Sequence, residues 1–180
     1  SDLRKPAGTV GSTTGTHAAS TLILPAVAET LHAYKDIKIE LSLDSALTDI
    51  VSERFDAGIR LGEKIAQDMI ELRIGPDIRM AVVGSPDYLA KKPKPHTPQD
   101  LTHHSCINLR MPSAGGIYPW EFRQGDLELY VRVDGQFVVN NSFAAVIAAD
   151  EVLGLAIVMA DQVIAHIDEG KLVRVLAYLC

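Results

Sequence analysis

The stretch 8-GTVGSTTGTHAAS-20 gathers glycines, hydroxyl side chains and one histidine where a β-like run gives way to a helix-like run. Residues of these types at a helix start can hold an anion. The first N–H groups of a helix have no intrahelical partners, and the dipole is positive there. The pattern is not that of a nucleotide cradle. A P-loop needs a lysine directly after its last glycine, and Gly15 is followed by Thr16 and His17. The GxGxxG dinucleotide fingerprint is missing as well. What is left is a polar wall of Ser12, Thr13, Thr14, Thr16 and His17, more side chains than one N-cap uses.

Other candidate chemistries are thinner. His103, His104, Ser105 and Cys106 carry metal-ligating atoms, but zinc sites draw three or four ligands from separated pairs. No CxxC or HExxH accompanies them. They read as exposed histidines ahead of a strand that buries Cys106, so neither a metal nor a cofactor is expected. Ser/His/Asp catalysis finds no GxSxG elbow. Asp150-Glu151 and Asp168-Glu169 fall at helix ends, where a solvated face explains them. An enzyme would need an acid/base pair in its cleft, and His17 with Asp44 is the one pair to consider. The chain is read as a non-enzyme. Two further groups suit binding. Arg60 closes an apolar strand just before Gly62, and open α/β sheets bind ligands at strand carboxyl ends. Asn140-Asn141-Ser142 repeats the polar strand-to-helix junction in the second half. The two helix starts could hold one carboxylate between them.

The elements that must carry these residues follow from periodicity. Thr9 to Ser12 reads as a strand. Ala19, Ile23, Val27, Leu31 and Tyr34 then recur at helical steps. Pro25 either kinks that helix or starts its main segment. Alternation at 37-IKIELSL-43 gives a strand, 45-SALTDIVSERF-55 a helix capped by Asp44 or Ser45, and 56-DAGIRLG-62 a strand. This β-α-β-α-β order implies parallel strands with helical crossovers. Further on, 78-IRMAVVGS-85 is a buried strand and Ser85-Pro86 starts a short helix. The stretch 91-KKPKPHTPQD-100 is a surface loop, and 105-SCINLR-110 a strand. The pair 119-PWEF-122 and 127-LELYVRVD-134 makes an antiparallel hairpin. After strand 137-FVVN-140 comes helix 143-FAAVIAADEVL-153, stopped by Gly154. Strand 155-LAIVM-159, a helix-like 161-DQVIAHIDEG-170 and strand 171-KLVRVL-176 complete a second α/β unit.

Composition narrows the class. With 47% hydrophobic and 22% charged residues, the chain is not disordered. A net charge of −6 without a Lys/Arg stripe argues against nucleic-acid binding by these residues, since phosphate neutralisation carries most of that affinity. Two cysteines, Cys106 and Cys180, make no disulfide framework, so a reducing cytoplasmic setting is expected. The apolar run near Leu155 to Ala160 is too short for a bilayer, and no signal-peptide core is visible.

In order and spacing, the segments resemble the effector-binding domain of LysR-type transcriptional regulators. They run from 8-GTVGSTTGTHAASTLILPAVAETLHAY-34 and 37-IKIELSL-43 through 50-IVSERFDAGIRLGE-63 and 72-LRIGPDIRMAVVGSPDYLAKK-92. They continue with 98-PQDLTHHSCI-107, 119-PWEF-122, 130-YVRVDGQFVVNN-141, 144-AAVIAADEVLGLAIVMAD-161 and 169-EGKLVRVL-176. No segment decides it alone, but together they cover nearly the whole chain. The resemblance implies an α/β, type 2 periplasmic-binding-protein-like fold: two lobes, a hinge and an interlobe cleft. Positions 1–7 would end a linker, 8–74 form lobe I and 75–176 lobe II. At 177–180 the chain would be truncated, without the family's returning strand and closing helix. It also implies a small-molecule inducer, anionic or polar aromatic, and a homodimer, or a tetramer at full length. DNA would be bound only through a winged helix-turn-helix ahead of this chain, with no membrane involved. By the family's motif, inducer contacts fall at Ser12 to His17, at Asp44 and Ser45, and at the turn from Arg60 to Gly62. Across the cleft they fall near Asn108 and Arg110 and at Asn140, Asn141 and Ser142. A periplasmic solute-binding protein or a transferase would share the fold.

Overall fold

The computed structural model describes residues 5–44, 50, 52–61, 69–111 and 115–179. It divides into two compact units, Ser1–Gly75 and Pro76–Cys180.

The first unit is built on three parallel strands. β1 (Gly8–Thr14) is central, flanked by β2 (Ile37–Leu43) and β3 (Ala57–Ile59), in the order β2-β1-β3. Alternating Ile37, Ile39 and Leu41 give β2 its half-buried face. Between β1 and β2 the chain rises as α1 (Thr16–Ala18), passes one π-helical turn (Ala19–Ile23) and continues as α2 (Leu24–Ala33). Pro25 explains the turn. It has no N–H for the ladder, and the helix relaxes just ahead of it, with Leu24 N–H reaching back to Ala19 O. Pro25 thus opens the main helical segment. Of the helix expected at 45–55, positions 45–49 and 51 lie outside the described residues, and Ser52–Arg54 form a turn.

The second unit centres on a five-stranded mixed sheet. Its strands are β4 (Met80–Gly84), β5 (Cys106–Leu109), β8 (Val138–Val139), β9 (Leu155–Met159) and β10 (Val173–Val175), in the order β10-β4-β9-β5-β8. β5, β8 and β9 run parallel, while β4 is antiparallel to β9 and β10. β6 (Trp120–Gln124) and β7 (Leu127–Val131) form the expected hairpin. α3 (Pro86–Lys91) is capped by Ser85, whose hydroxyl accepts from Tyr88 N–H at 3.2 Å. α4 (Ser142–Asp150) crosses from β8 to β9, and α5 (Ile164–Asp168) precedes β10.

The sheet is covered on both faces, which is why β4 and β9 read as unbroken apolar runs. Ala81, Val83, Ala156 and Val158 face α4, whose alanines 145, 148 and 149 let it pack close. Val82, Leu155 and Ile157 face the other way, onto Trp120, Phe122, Leu101 and Tyr88. Each fully buried valine, leucine or isoleucine contributes roughly 1.5–3 kcal/mol relative to exposure. Leu176 and Leu179 belong to the same cluster, and Arg123 N–H donates to Leu179 O at 2.9 Å. The segment after β10 is therefore packed into this unit.

Some expectations need correction. α4 ends before Gly154, at Glu151, with Val152 in the left-handed region at φ 65. Gly154 serves another purpose: it sits at φ 148, and a Cβ there would lie 2.2 Å from Ser105 O. The close approach lets Leu155 N–H bond Ser105 O at 2.9 Å. The loop over 91–100 tightens into a 3-10 turn at Pro98–His103, and 161–170 is helical in two short pieces. His104 is not exposed. It is 9% accessible, with Nδ1 3.0 Å from the Tyr88 hydroxyl, because β5 draws it under α3. Only His103 keeps its exposed place.

Two outcomes follow. Gly154→Ala should destabilise the chain by about 3 kcal/mol, from strain plus a backbone clash. A urea titration showing under a third of that would contradict this role. Burial, and then the nearby Lys92, hold the His104 pKa below its ordinary 6.5. The neutral form is favoured in the folded state, so its contribution is complete above about pH 6.5 and lost as pH falls through the lowered value. Melting temperature should drop below that point more steeply for the wild type than for His104→Gln.

Candidate functional site

The carboxyl edge of the first sheet gathers the predicted polar residues. Register places Thr14 beside Leu43 on one side and Ile59 on the other. β1 is the topological switch point, since the chain leaves it toward β2 while β3 lies on its other flank. Open α/β sheets bind ligands outside such a point. Thr13 and Thr14 are fully buried. Burying a hydroxyl costs free energy unless it is hydrogen-bonded. Thr14 Oγ1 donates to Gly15 O at 3.3 Å. Thr13 Oγ1 accepts from Arg60 Nη2 at 3.2 Å, and Arg60 Nη1 donates to Ile59 O at 2.8 Å. The guanidinium is thus pinned along the strand ends. Gly15 precedes α1 without any side-chain cap. The N-cap residue thus offers no side chain of its own, and the helix begins at this same edge. Ser12, Thr16 and His17 are half-buried beside them. Asp44 follows β2 and its N–H donates to Thr14 O at 2.9 Å. Ser45 and Gly62 lie outside the described residues.

In the second unit β5, β8 and β9 end at a common edge. Asn141 caps α4, its Oδ1 accepting from Ala144 N–H at 3.1 Å. Asn140 precedes it and is exposed. Ser142 opens the helix, and its Oγ accepts from Gln162 Nε2 at 2.9 Å. Asn108 lies deeper than the motif suggests: it is 6% exposed and its Nδ2 donates to Val133 O at 3.3 Å. Arg110 turns to the following loop and donates to Gly115 O at 2.6 Å.

Reading the sequence missed Gln162. It stands in the 3-10 turn Ala160–Val163 directly after β9. A polar residue just past a buried parallel strand is the same signal that singled out Arg60, and it was the one available clue. Elsewhere, burial pushes the Cys106 thiol up to about 12, so it is a core group and not a nucleophile. Among the described residues, no group of three His, Cys, Asp or Glu side chains could hold a metal ion. No described helix is long and apolar enough to cross a membrane. A surface hollow of about 200 Å³ is lined by Lys5, Pro6, Ala33, Tyr34, Lys35 and Asp36. It sits where β1 and β2 begin, the wrong end for ligands of a parallel sheet.

The family model for the LysR substrate binding domain matches residues 4–178. The chain belongs to this family. A Pseudomonas aeruginosa protein provisionally named a transcriptional regulator is 49% identical over 176 residues, covering 98% of this chain and 58% of its own length. The HTH-type transcriptional regulator PgrR of Escherichia coli is 46% identical over 177 residues, again 98% of this chain and 59% of its own. The chain thus spans somewhat under two thirds of these relatives. The full-length structure of AphB, a Vibrio cholerae virulence activator and LTTR family member, superposes with a TM-score of 0.83. It does so at 21% identity over 98% of this chain and 59% of that one. That likeness supports the fold alone, a mixed α/β, type 2 periplasmic-binding-protein-like LysR domain.

The Arg60–Thr13 contact is testable within the LysR domain itself. Thr13→Val keeps the shape but removes a buried acceptor from a cation, and should cost about 2 kcal/mol. Urea midpoints should fall for Thr13→Val and much less for Thr13→Ser, which keeps the hydroxyl. Equal losses would show that the methyl, not the hydrogen bond, matters.

Proposed function

We propose that this LysR domain senses a small anionic or polar aromatic molecule and so controls DNA binding by a winged helix-turn-helix elsewhere in the full-length regulator. The observation that carries the reading is the guanidinium of Arg60, held by a buried threonine at the carboxyl edge of β1 and β3 beside an uncapped helix start. A fixed cation beside a helix N-terminus suits a carboxylate, because the dipole is positive there and charge-assisted bonds are the strong ones. The second polar contribution is Ser142 at the start of α4. The interlobe cleft implied by the family resemblance is where we place the ligand. Binding would shift an existing equilibrium only by the ligand's unequal affinity for its two states.

The role is regulatory and not catalytic, as the names of the relatives suggest. We further propose a cytoplasmic homodimer, or tetramer at full length. Exposed Leu24 and Leu43 in the first unit, and Val138 and Ile147 in the second, offer apolar surface for self-association.

The test is calorimetry on the full-length regulator with acetate, succinate, benzoate and 4-hydroxybenzoate. Arg60→Gln should weaken whichever carboxylate binds by about 10- to 100-fold, the worth of one charge-assisted contact. Thr14→Val combined with Ser142→Ala should blunt the transcriptional response. Unchanged affinity in Arg60→Gln would remove the anion from the proposal.

A further inference from the structure

The contact between Tyr88 and His104 has a direction that its neighbours fix. His104 is buried, and its ring hydrogen-bonds Pro93 O as well as the Tyr88 hydroxyl. A carbonyl oxygen only accepts, so the ring nitrogen on Pro93 carries a proton. Nδ1 is the nitrogen facing Tyr88, at 3.0 Å, which leaves Nε2 for Pro93. In the neutral ring Nδ1 is therefore bare and accepts. The tyrosine agrees with this. Tyr88 Oη already accepts Ser105 N–H at 3.0 Å. Its single proton has two acceptors in reach, His104 Nδ1 at 3.0 Å and Ser105 O at 3.4 Å. The nearer one takes it. The chain runs from Ser105 N–H through Tyr88 O–H to His104, and from His104 Nε2–H to Pro93 O.

A proton from solvent reverses part of this order. It enters at Nδ1, which then donates, so Tyr88 Oη must accept and its O–H must turn to Ser105 O. Ser105 O already accepts Leu155 N–H at 2.9 Å. A separation of 3.4 Å is beyond the usual O–H···O range. Tyr88 stands in the first turn of α3, so closing that gap moves α3 against the start of β5. Charge acts in the same sense. Around the ring, Lys92 at the end of α3 and His103 oppose an imidazolium, and Asp100 in the Pro98–His103 turn favours it. The Cys106 thiol stays neutral. Lys92 Nζ donates to His103 O at 3.1 Å, a tie that an imidazolium next to it would push away.

We infer that Tyr88 and His104 form a proton-operated latch between α3 and β5, in which one proton on His104 Nδ1 reverses their hydrogen bond and turns the tyrosine hydroxyl to Ser105 O. The latch is closed at neutral pH, because burial and then Lys92 hold the ring uncharged. It opens as pH falls through the lowered value. Its reporter is the Ser105 amide, which hydrogen-bonds the hydroxyl that turns.

The experiment is a pH titration of the full-length regulator with isotope-labelled histidine and serine, followed by NMR. His104→Gln identifies the His104 signal by its loss. In the wild type the neutral ring should carry its proton on Nε2, and the midpoint should lie below 6.5, the ordinary histidine value. The Ser105 amide should shift with that same midpoint. Lys92→Gln, an exposed change, should move both midpoints upward together, because one opposing charge is gone. Tyr88→Phe should leave His104 titrating while the Ser105 amide no longer follows it. A neutral ring protonated on Nδ1 would overturn the latch, since no bond could then reverse. So would a Ser105 amide that ignores the His104 midpoint in the wild type, or one that still follows it in Tyr88→Phe. Loss of stability alone gives the first of these two results, because the amide then changes only when the chain unfolds. An unmoved midpoint in Lys92→Gln would overturn the part given to Lys92.

Discussion

Parallel pairing on β1 is the constraint from which the candidate site follows. β2 accompanies β1 along its whole length, from Gly8 beside Ile37 to Thr14 beside Leu43. β3 joins only at Ser12, Thr13 and Thr14. β1 is thus flanked on both sides only at its carboxyl end, and its burial rises from exposed at Gly8 to complete at Thr13 and Thr14. Parallel strands also need a crossover, which starts a helix next to the strand's end. One constraint therefore produces deep burial and a helix start at the same place. Hydrophobic residues would satisfy that burial at lower cost. Two threonines occupy it instead, and they require the partners they have, Arg60 and Gly15 O. A strand that places hydroxyls at its most buried positions departs from core logic where function is the better explanation.

The second unit separates stability from recognition more cleanly. Both buried apolar clusters lie there, on opposite faces of one sheet. The polar groups in its interior are mostly tied into structure. Tyr88 bridges His104 and Ser105, and Cys106 sits as a protonated thiol beneath them. Residues that looked like ligand or metal chemistry in sequence are here a hinge-free brace between α3 and β5. At the edge where β5, β8 and β9 end, the Asn141 amide and the Ser142 hydroxyl stand at the start of α4.

Most of the strand order was legible, because period-2 alternation in β2 and unbroken apolar runs in β4 and β9 leave little choice. The junctions at Thr13–Thr14, Arg60 and Asn141–Ser142 were legible for the same reason: polar residues directly after apolar strands. Burial of individual side chains was not. His104 and Asn108 are polar and sit next to surface-like sequence, yet pairing of β5 carries both inward. Helix ends were also misplaced by a few residues. Val152, not Gly154, turns left-handed after α4, and the glycine is kept for a backbone contact with Ser105 that no local pattern announces.

Hydrogen-bond direction is the least legible property of all. Gln162 and Ser142 are twenty positions apart, in different elements, and each is unremarkable in sequence. Their meeting depends on α4 crossing from β8 to β9 over β5, so that the start of the helix and the turn after β9 share an edge. Even then, proximity alone leaves a serine hydroxyl free to donate or accept. An amide nitrogen as neighbour makes the serine oxygen an acceptor, while leaving it a second lone pair and its own proton.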